Sequence, residues 1–265
     1  MRAVTRAGAL PAALLLAALA APTAQAQDRG NPGWYVRVAP YLWASNIDGA
    51  VSLGLPADPQ QVGQYLVAIE DTLLEPAWAV RAEVGKGRVR AWFNVSQAGL
   101  GPKPTEIEPI DSPADTLEGT FDFTWFTGEA FAAIQVGPFA TTHAFELYAG
   151  GRYVKHEQSV AVEEDPPIDV SESWIEPAAG ARLWMDLGRR FWAAFNTDLG
   201  GFGLGADFTF TLGGELGFRV VGPLDISMRY NYQETDYNNG LSGADAYAWS
   251  NGVQQGWLFG AVLKL

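Results

Sequence analysis

The two histidines are the side chains of this chain that could act as a base at neutral pH. His143 stands at a short turn, where we expect it to be solvated, while His156 is followed by Glu157, Ser159 and the acidic run 163–165. A histidine held by a positioned carboxylate can activate water or a serine hydroxyl. No spacing in the sequence fixes such a carboxylate. His156 is therefore a candidate base at the exposed outer end of a strand, and a loop histidine is the alternative interpretation.

Charged residues recur on the polar faces of the alternating segments, where they would share one interior. The predicted set is Arg37, Arg81, Glu83, Arg90, Glu146, Arg152, Glu176, Arg182, Asp207, Glu215, Arg219, Asp225 and Arg229. Such charges could line a channel that selects solutes. They could also pair into a salt-bridged plug, because buried charges need partners. The second interpretation is favoured for bulk flow, since a barrel of about ten strands is narrow.

Two further segments have residues that could bind a ligand. The acidic segment 163–169 has enough carboxylates for a hard cation but lacks the regular spacing of a calcium loop, so a solvated loop is favoured. The glycine-rich segment 201–205 opens a strand instead of a helix, which argues against phosphate binding and for a tight turn with positive φ. The sequence thus predicts neither a cofactor nor a metal site.

Two-residue alternation of apolar and polar side chains predicts ten strands, each long enough to cross a bilayer when tilted. In the fourth, Phe121, Phe123 and Trp125 share an apolar face with Ala132 and Ile134 only if a bulge near 127–128 shifts the phase. The predicted strands are 34–46, 76–85, 88–98, 118–136, 143–157, 172–186, 190–199, 206–220, 224–236 and 255–265.

Short connections alternate with longer ones along these strands, as in outer-membrane barrels. The sequence therefore predicts an all-β fold, a transmembrane antiparallel up-and-down β-barrel of about 10 strands. Counts of 8 to 12 remain compatible, because 49–55 and 65–69 could form an extra hairpin. A soluble sandwich or lipocalin-like barrel is less favoured, since it would need room inside for many aromatic side chains.

Residues 1–26 have the layout of a secretory signal peptide: Arg2 and Arg6, an apolar run, and an Ala24-Gln25-Ala26 cleavage site. Residues 27–265 are then a single barrel domain. Cleavage removes two arginines and no acids from a chain of net charge −13, which leaves a strongly acidic protein. Nucleic acid is excluded as a partner because phosphate binding needs a basic surface. There is no cysteine for a disulfide or a lipid anchor.

Four stretches carry a resemblance to a known group of proteins. They are 39–45 (APYLWAS), 196–209 (NTDLGGFGLGADFT), 228–232 (MRYNY) and the terminal strand. Together they resemble a large family of largely uncharacterised bacterial outer-membrane β-barrel proteins. The resemblance implies location in the cell outer membrane, a porin-like role and no known substrate. One departure is Leu265, since such barrels typically end in an aromatic residue.

The expected function is a narrow porin-like channel or a passive structural barrel with acidic extracellular loops, and not an enzyme. The alternatives are an outer-membrane enzyme that uses His156, similar to omptin proteases or lipid hydrolases, and a barrel that binds ligands or surfaces through its loops. The expected partners are outer-membrane lipid and lipopolysaccharide, the barrel-assembly machinery, and small solutes or ions.

Overall fold

Eleven antiparallel strands account for most of the computed structural model, which describes residues 33–58, 61–73, 77–109, 117–136, 143–162 and 167–265. The strands are β1 Trp34–Asp58, β2 Gln61–Leu73, β3 Ala77–Lys86, β4 Val89–Pro109, β5 Leu117–Val136, β6 His143–Val162, β7 Ile168–Asp186, β8 Phe191–Leu204, β9 Ala206–Val221, β10 Leu224–Asn238 and β11 Tyr247–Lys264. Among these residues no helix is long and apolar enough to cross a membrane. The predicted signal peptide and most of the acidic segment 163–169 lie outside the described residues.

The sheet closes on itself through β1 and β11, which pair from Arg37 with Lys264 to Leu53 with Tyr247. On its other side β1 pairs first with β3 and then with β2, so these two strands occupy one position in the wall. The ring thus has ten positions, and the predicted all-β antiparallel barrel is confirmed. The extra hairpin suggested for 49–55 and 65–69 is present: the second half of β1 pairs with β2, with Ala50 opposite Ala68, and continues the barrel wall.

The two ends of the barrel differ in height. At what we call the turn end, β3 and β4, β7 and β8, and β9 and β10 are joined by brief connections. At the opposite loop end, β8 and β9 meet at Gly205, and Gly201, Gly203 and Gly205 have the positive φ predicted for a tight turn. The β7–β8 pairing stops at Ala178, although β7 begins at Ile168. The wall formed by β1, β2 and β4–β7 therefore rises above the rest.

An apolar band covers the outside of the barrel over its turn-end portion. The exposed residues of this membrane belt include Leu42, Phe93, Ile134, Leu147, Leu183, Phe195, Leu212, Met228 and Phe259. On β6 the belt runs from Phe145 to Tyr153, and beyond it Lys155 and Glu157 form an ion pair on the outer surface. An outward apolar band bounded by aromatic and then charged residues is the surface that a barrel presents to lipid.

Polarity is reversed in the extension, which we define as the barrel wall beyond the belt at the loop end. There the interior is apolar and the exterior polar. The buried residues include Ile47, Val51, Leu53, Val67, Leu100, Ile107, Phe121, Phe123 and Val160. Water replaces lipid outside the wall at this height, so the extension packs like a soluble barrel with its apolar side chains inside.

The reversal corrects the expected bulge in the predicted fourth strand, now β5. Phe121, Phe123 and Trp125 face the interior of the extension, whereas Ala132 and Ile134 face outward in the belt. The β5–β6 pairing runs without a register shift. The same two-residue alternation therefore continues through the extension and the belt. The apolar residues change from the inner to the outer face because the surroundings change from water to lipid.

Candidate functional site

The barrel interior collects most of the charged residues predicted to meet there. Nine are buried: Arg37, Glu83, Arg90, Glu146, Arg152, Glu176, Arg182, Glu215 and Asp225. Arg81 and Arg229 are half-buried and line internal cavities. Two predicted members lie elsewhere. Asp207 is exposed at the start of β9 near the loop end, and Arg219 pairs with Asp186 at 3.0 Å at the turn end.

Arg152 is the centre of the first interior cluster. Its guanidinium donates to Glu129 at 2.7 Å, Glu176 at 2.6 Å and Asp198 at 2.9 Å, and also to the Thr211 hydroxyl at 3.1 Å. Strand register creates this arrangement, because Arg152 is directly opposite Glu129 on one side and Glu176 on the other. One cation fully engaged by three carboxylates ties four strands of the wall together.

Glu129 and Asp198 were missing from the predicted set. Glu129 has the opposite parity to Ala132 and Ile134, so even the expected bulge left it on the polar, inward face, and in the structure the unbroken alternation from Trp125 puts it inside. Asp198 has the same parity as Asn196 on β8, so its inward direction was readable from the sequence. Its bond to Arg152 was not readable, because β8 and β6 are not neighbours.

Arg182 is the centre of a second cluster, nearer the turn end. Its guanidinium donates to Glu83 at 2.8 Å and forms an ion pair with Glu146 at 2.6 Å. Glu146 forms a second ion pair with Arg90 at 3.0 Å. Glu146 is opposite Arg182 in the register, but Glu83 comes from β3, across the barrel. This cluster therefore spans the lumen instead of lining it. Closer still to the turn end, Asp225 accepts from Lys264 at 2.8 Å and from the Trp192 indole at 2.7 Å.

Two small cavities lie among these charges. One of about 50 Å³ is lined by side chains that include Trp43, Glu129 and Gln254, and one of about 40 Å³ extends from Glu83 toward Trp184. Their linings have Tyr41, Arg81, Asn196 and Arg229 in common. About 10 to 15 Å³ of cavity volume is needed to hold one water molecule, so each of these cavities has room for a few waters.

An aromatic plug fills the interior above the Arg152 cluster. We define it as Phe121, Phe123, Trp125, His156, Trp174, Tyr237, Tyr247 and Trp249. The imidazole of His156 lies 4.7 to 5.5 Å, between ring centroids, from Trp125, Trp174, Phe123 and Trp249. Such edge-to-face packing fills this part of the interior with rings that need no water.

His156 is fully buried, which corrects its expected exposed position beside Glu157 and Ser159. Those two residues have the opposite parity on β6 and face outward. The Nδ1 atom of His156 lies 2.6 Å from the Tyr247 hydroxyl, which accepts a hydrogen bond from Gln158 at 2.7 Å. Among the described residues no carboxylate forms a hydrogen bond with the imidazole, although Glu172 is opposite His156 in the strand register. Burial lowers the pKa of His156 to about 3, so the ring is neutral at pH 7 and lacks the partner of a catalytic base.

The buried His156 predicts a pH dependence of stability. Its folded pKa lies below the unfolded value of about 6.5, so the unfolded chain binds the proton first and stability is lost as the pH falls below 6.5 toward 3. At pH 4.5 we expect His156 to lower the free energy of unfolding by about 2 to 3 kcal/mol relative to pH 7.5. Denaturant unfolding of the wild type and of His156→Gln at both pH values measures this difference.

The control is His143→Gln, because His143 is exposed at the turn end. All carboxylates are retained in both variants, so only the His156 variant should show a smaller pH dependence than the wild type. If both variants keep the full pH dependence, the carboxylates alone cause it and His156 is not buried as a neutral ring.

Comparisons with known proteins bear on the fold. No protein family and no curated protein matches the chain. Among solved structures, it is similar to the outer membrane protease OmpT from Escherichia coli at 9% identity, with 89% of this chain and 98% of that chain covered and a TM-score of 0.55. The translocator domain of the autotransporter NalP from Neisseria meningitidis follows at 12% identity, 88% and 89% coverage and a TM-score of 0.43. The likeness to OmpT is one of fold, and with the apolar belt it identifies this chain as a β-barrel of the bacterial outer-membrane type.

Proposed function

We propose that this protein is a closed outer-membrane barrel, a structural barrel and not a channel for solutes. The observation that carries the proposal is the presence of two barriers in series along the axis. The first is the pair of arginine clusters at the height of the belt. The second is the aromatic plug in the extension. A solute would have to cross both.

The Arg182 cluster obstructs the lumen because it joins facing walls, and the Arg152 cluster fills space along one side. Arg182 on β7 reaches Glu83 on β3, and Arg152 on β6 reaches Asp198 on β8. Moving these side chains aside would leave charges buried and unpaired, which costs several kcal/mol for each broken pair. The two cavities among the charges have room for a few waters.

The aromatic plug is a barrier of a different kind. Trp125 and Trp249 are each 1% exposed or less, and the His156 ring between them is not exposed at all. A hydrated ion that entered would lose its water without gaining charged partners, and that loss is prohibitive in an apolar interior.

If the lumen is closed, the protein contacts its partners through its outer surface. The belt faces outer-membrane lipid, and the extension carries exposed acids that include Glu106, Glu108, Glu118, Glu157 and Asp169. We propose that divalent cations bridge this acidic surface to lipopolysaccharide and that the barrel-assembly machinery inserts the chain. In the same proposal, residues 1–26 are removed on export and residues 27–265 form one barrel domain.

Conductance tests the closed state. Purified, refolded protein in planar bilayers should show no resolved channel steps, whereas a general porin in the same preparation should. Arg182→Ala alone should stay silent because the aromatic plug is in series with the cluster. Adding Phe123→Ala and Trp125→Ala to Arg182→Ala should produce steps, since both barriers are then weakened.

The control is the double variant Phe123→Ala with Trp125→Ala. It keeps the charge clusters and should therefore also show no channel steps. Heat modifiability on gels shows that each variant has folded. Wild-type protein that conducts like a general porin, or a single substitution that opens the barrel, would contradict two barriers in series.

A further inference from the structure

Two buried hydrogen-bond donors without partners line the larger of the two cavities among the charges. Trp43 and Gln254 are 6% and 3% exposed, and their Nε1 and Nε2 atoms have no partner in the described part of the chain. Both residues line the cavity together with Arg81 and Arg229. Buried N–H groups without partners are rare and costly, so this group of four indicates an acceptor that the protein itself does not supply.

The two arginines are only loosely compensated. Arg81 lies 4.0 Å from Glu83, and Arg229 lies 4.0 Å from Glu215. Those carboxylates have closer donors: Arg182 holds Glu83 at 2.8 Å, and the Tyr41 hydroxyl donates to Glu215 at 2.8 Å. Arg229 also donates to two amide oxygens, but amides carry no charge to offset it. Two cations on one cavity repel each other unless an anion lies between them.

The acidic residues on the opposite wall already accept hydrogen bonds from other donors. Glu129 accepts from Arg152 and Asn94, and Asp198 accepts from Arg152 and the Tyr148 hydroxyl. All four carboxylate oxygens are therefore engaged. The donors come from β10, β11, β1 and β3, which are consecutive in the ring, so the cavity has one cationic, donor-rich side.

We propose that this cavity is a binding site for a small monovalent anion of the halide class, coordinated by Trp43, Arg81, Arg229 and Gln254. The volume of about 50 Å³ has room for a chloride ion with water. Indole and amide N–H groups complete the coordination because an anion accepts from every side. The anion would offset the repulsion between the two arginines and stabilise the folded barrel.

Chloride itself is the probe. The thermal unfolding midpoint of the purified barrel is followed while sodium chloride replaces sodium gluconate at constant ionic strength, which keeps general screening equal. The wild type should show a saturable rise in the midpoint, as expected for a ligand that binds only the folded state. Gln254→Met removes a donor at similar volume, and Trp43→Phe removes the indole donor together with part of the ring; each should weaken the apparent chloride affinity about tenfold.

Trp249→Phe is the matched control. Its indole Nε1 is also buried and without a partner, but Trp249 does not line this cavity. The control should keep the wild-type chloride dependence even if its own midpoint is lower. In crystals grown with bromide, an anomalous peak should appear between Arg81 and Arg229. A wild type without a saturable chloride effect would mean that water alone fills the cavity, and unchanged affinity in both Trp43→Phe and Gln254→Met would overturn the assigned ligands.

Discussion

Replacing Arg152 by Met should lower the free energy of unfolding by about 3 to 5 kcal/mol, measured by denaturant titration of the refolded barrel. The variant keeps much of the aliphatic volume but leaves Glu129, Glu176 and Asp198 buried around no cation. Breaking one side of a buried ion pair has this cost because the remaining charge has lost its water and its partner. Here three carboxylates are left, so they must protonate, move or draw in water.

Lys155→Met is the matched control on the same strand. Lys155 pairs with Glu157 on the outer surface, where the two side chains are 36% and 56% exposed, so its loss should change stability by less than 1 kcal/mol. Adding Glu176→Gln to Arg152→Met should restore part of the stability, because it removes one buried carboxylate that has lost its cation. If Arg152→Met matches Lys155→Met, water already reaches the cluster and the lumen is more open than proposed.

Alternation along the strands allowed much of the fold to be predicted. It assigned Arg152 and Glu176 to the interior and Leu212 and Phe259 to the lipid side, as the structure has them. Alternation reports only that two faces differ, however, and not which solvent lies outside. That is why Phe123 was assigned to the lipid side and His156 to an exposed outer end, although both belong to the buried plug.

Contacts across the lumen could not be predicted at all. The bond between Arg182 and Glu83 joins β7 to β3, and the Tyr41 hydroxyl on β1 donates to Glu215 on β9. These proximities depend on the tilt and closure of the whole ring, which local sequence does not encode. Neighbouring pairs such as Glu146 with Arg182 needed only the register between consecutive strands.

The reversal of polarity along one strand predicts that position decides how a new charge is tolerated. On β6, Leu147→Arg places a cation in the belt, where Leu147 is 48% exposed to lipid, and should cost about 2 to 4 kcal/mol. Ser159→Arg lies on the same outer face in the extension and should change stability by less than about 0.5 kcal/mol, since its surroundings are water.

On the inner face of the extension, a new charge should be strongly destabilising. Val160 is 1% exposed among apolar side chains, so Val160→Arg buries a charge without a partner and should prevent folding or cost as much as Leu147→Arg. Ser159 and Val160 are adjacent and lie at the same distance from the belt. A difference in stability between their arginine variants therefore reports only whether the side chain points outward or inward. Equal harm at Ser159 and Leu147 would place the lipid boundary above the extension, and a harmless Val160→Arg would mean that its interior is hydrated. Either result would also remove the apolar barrier on which the closed state depends.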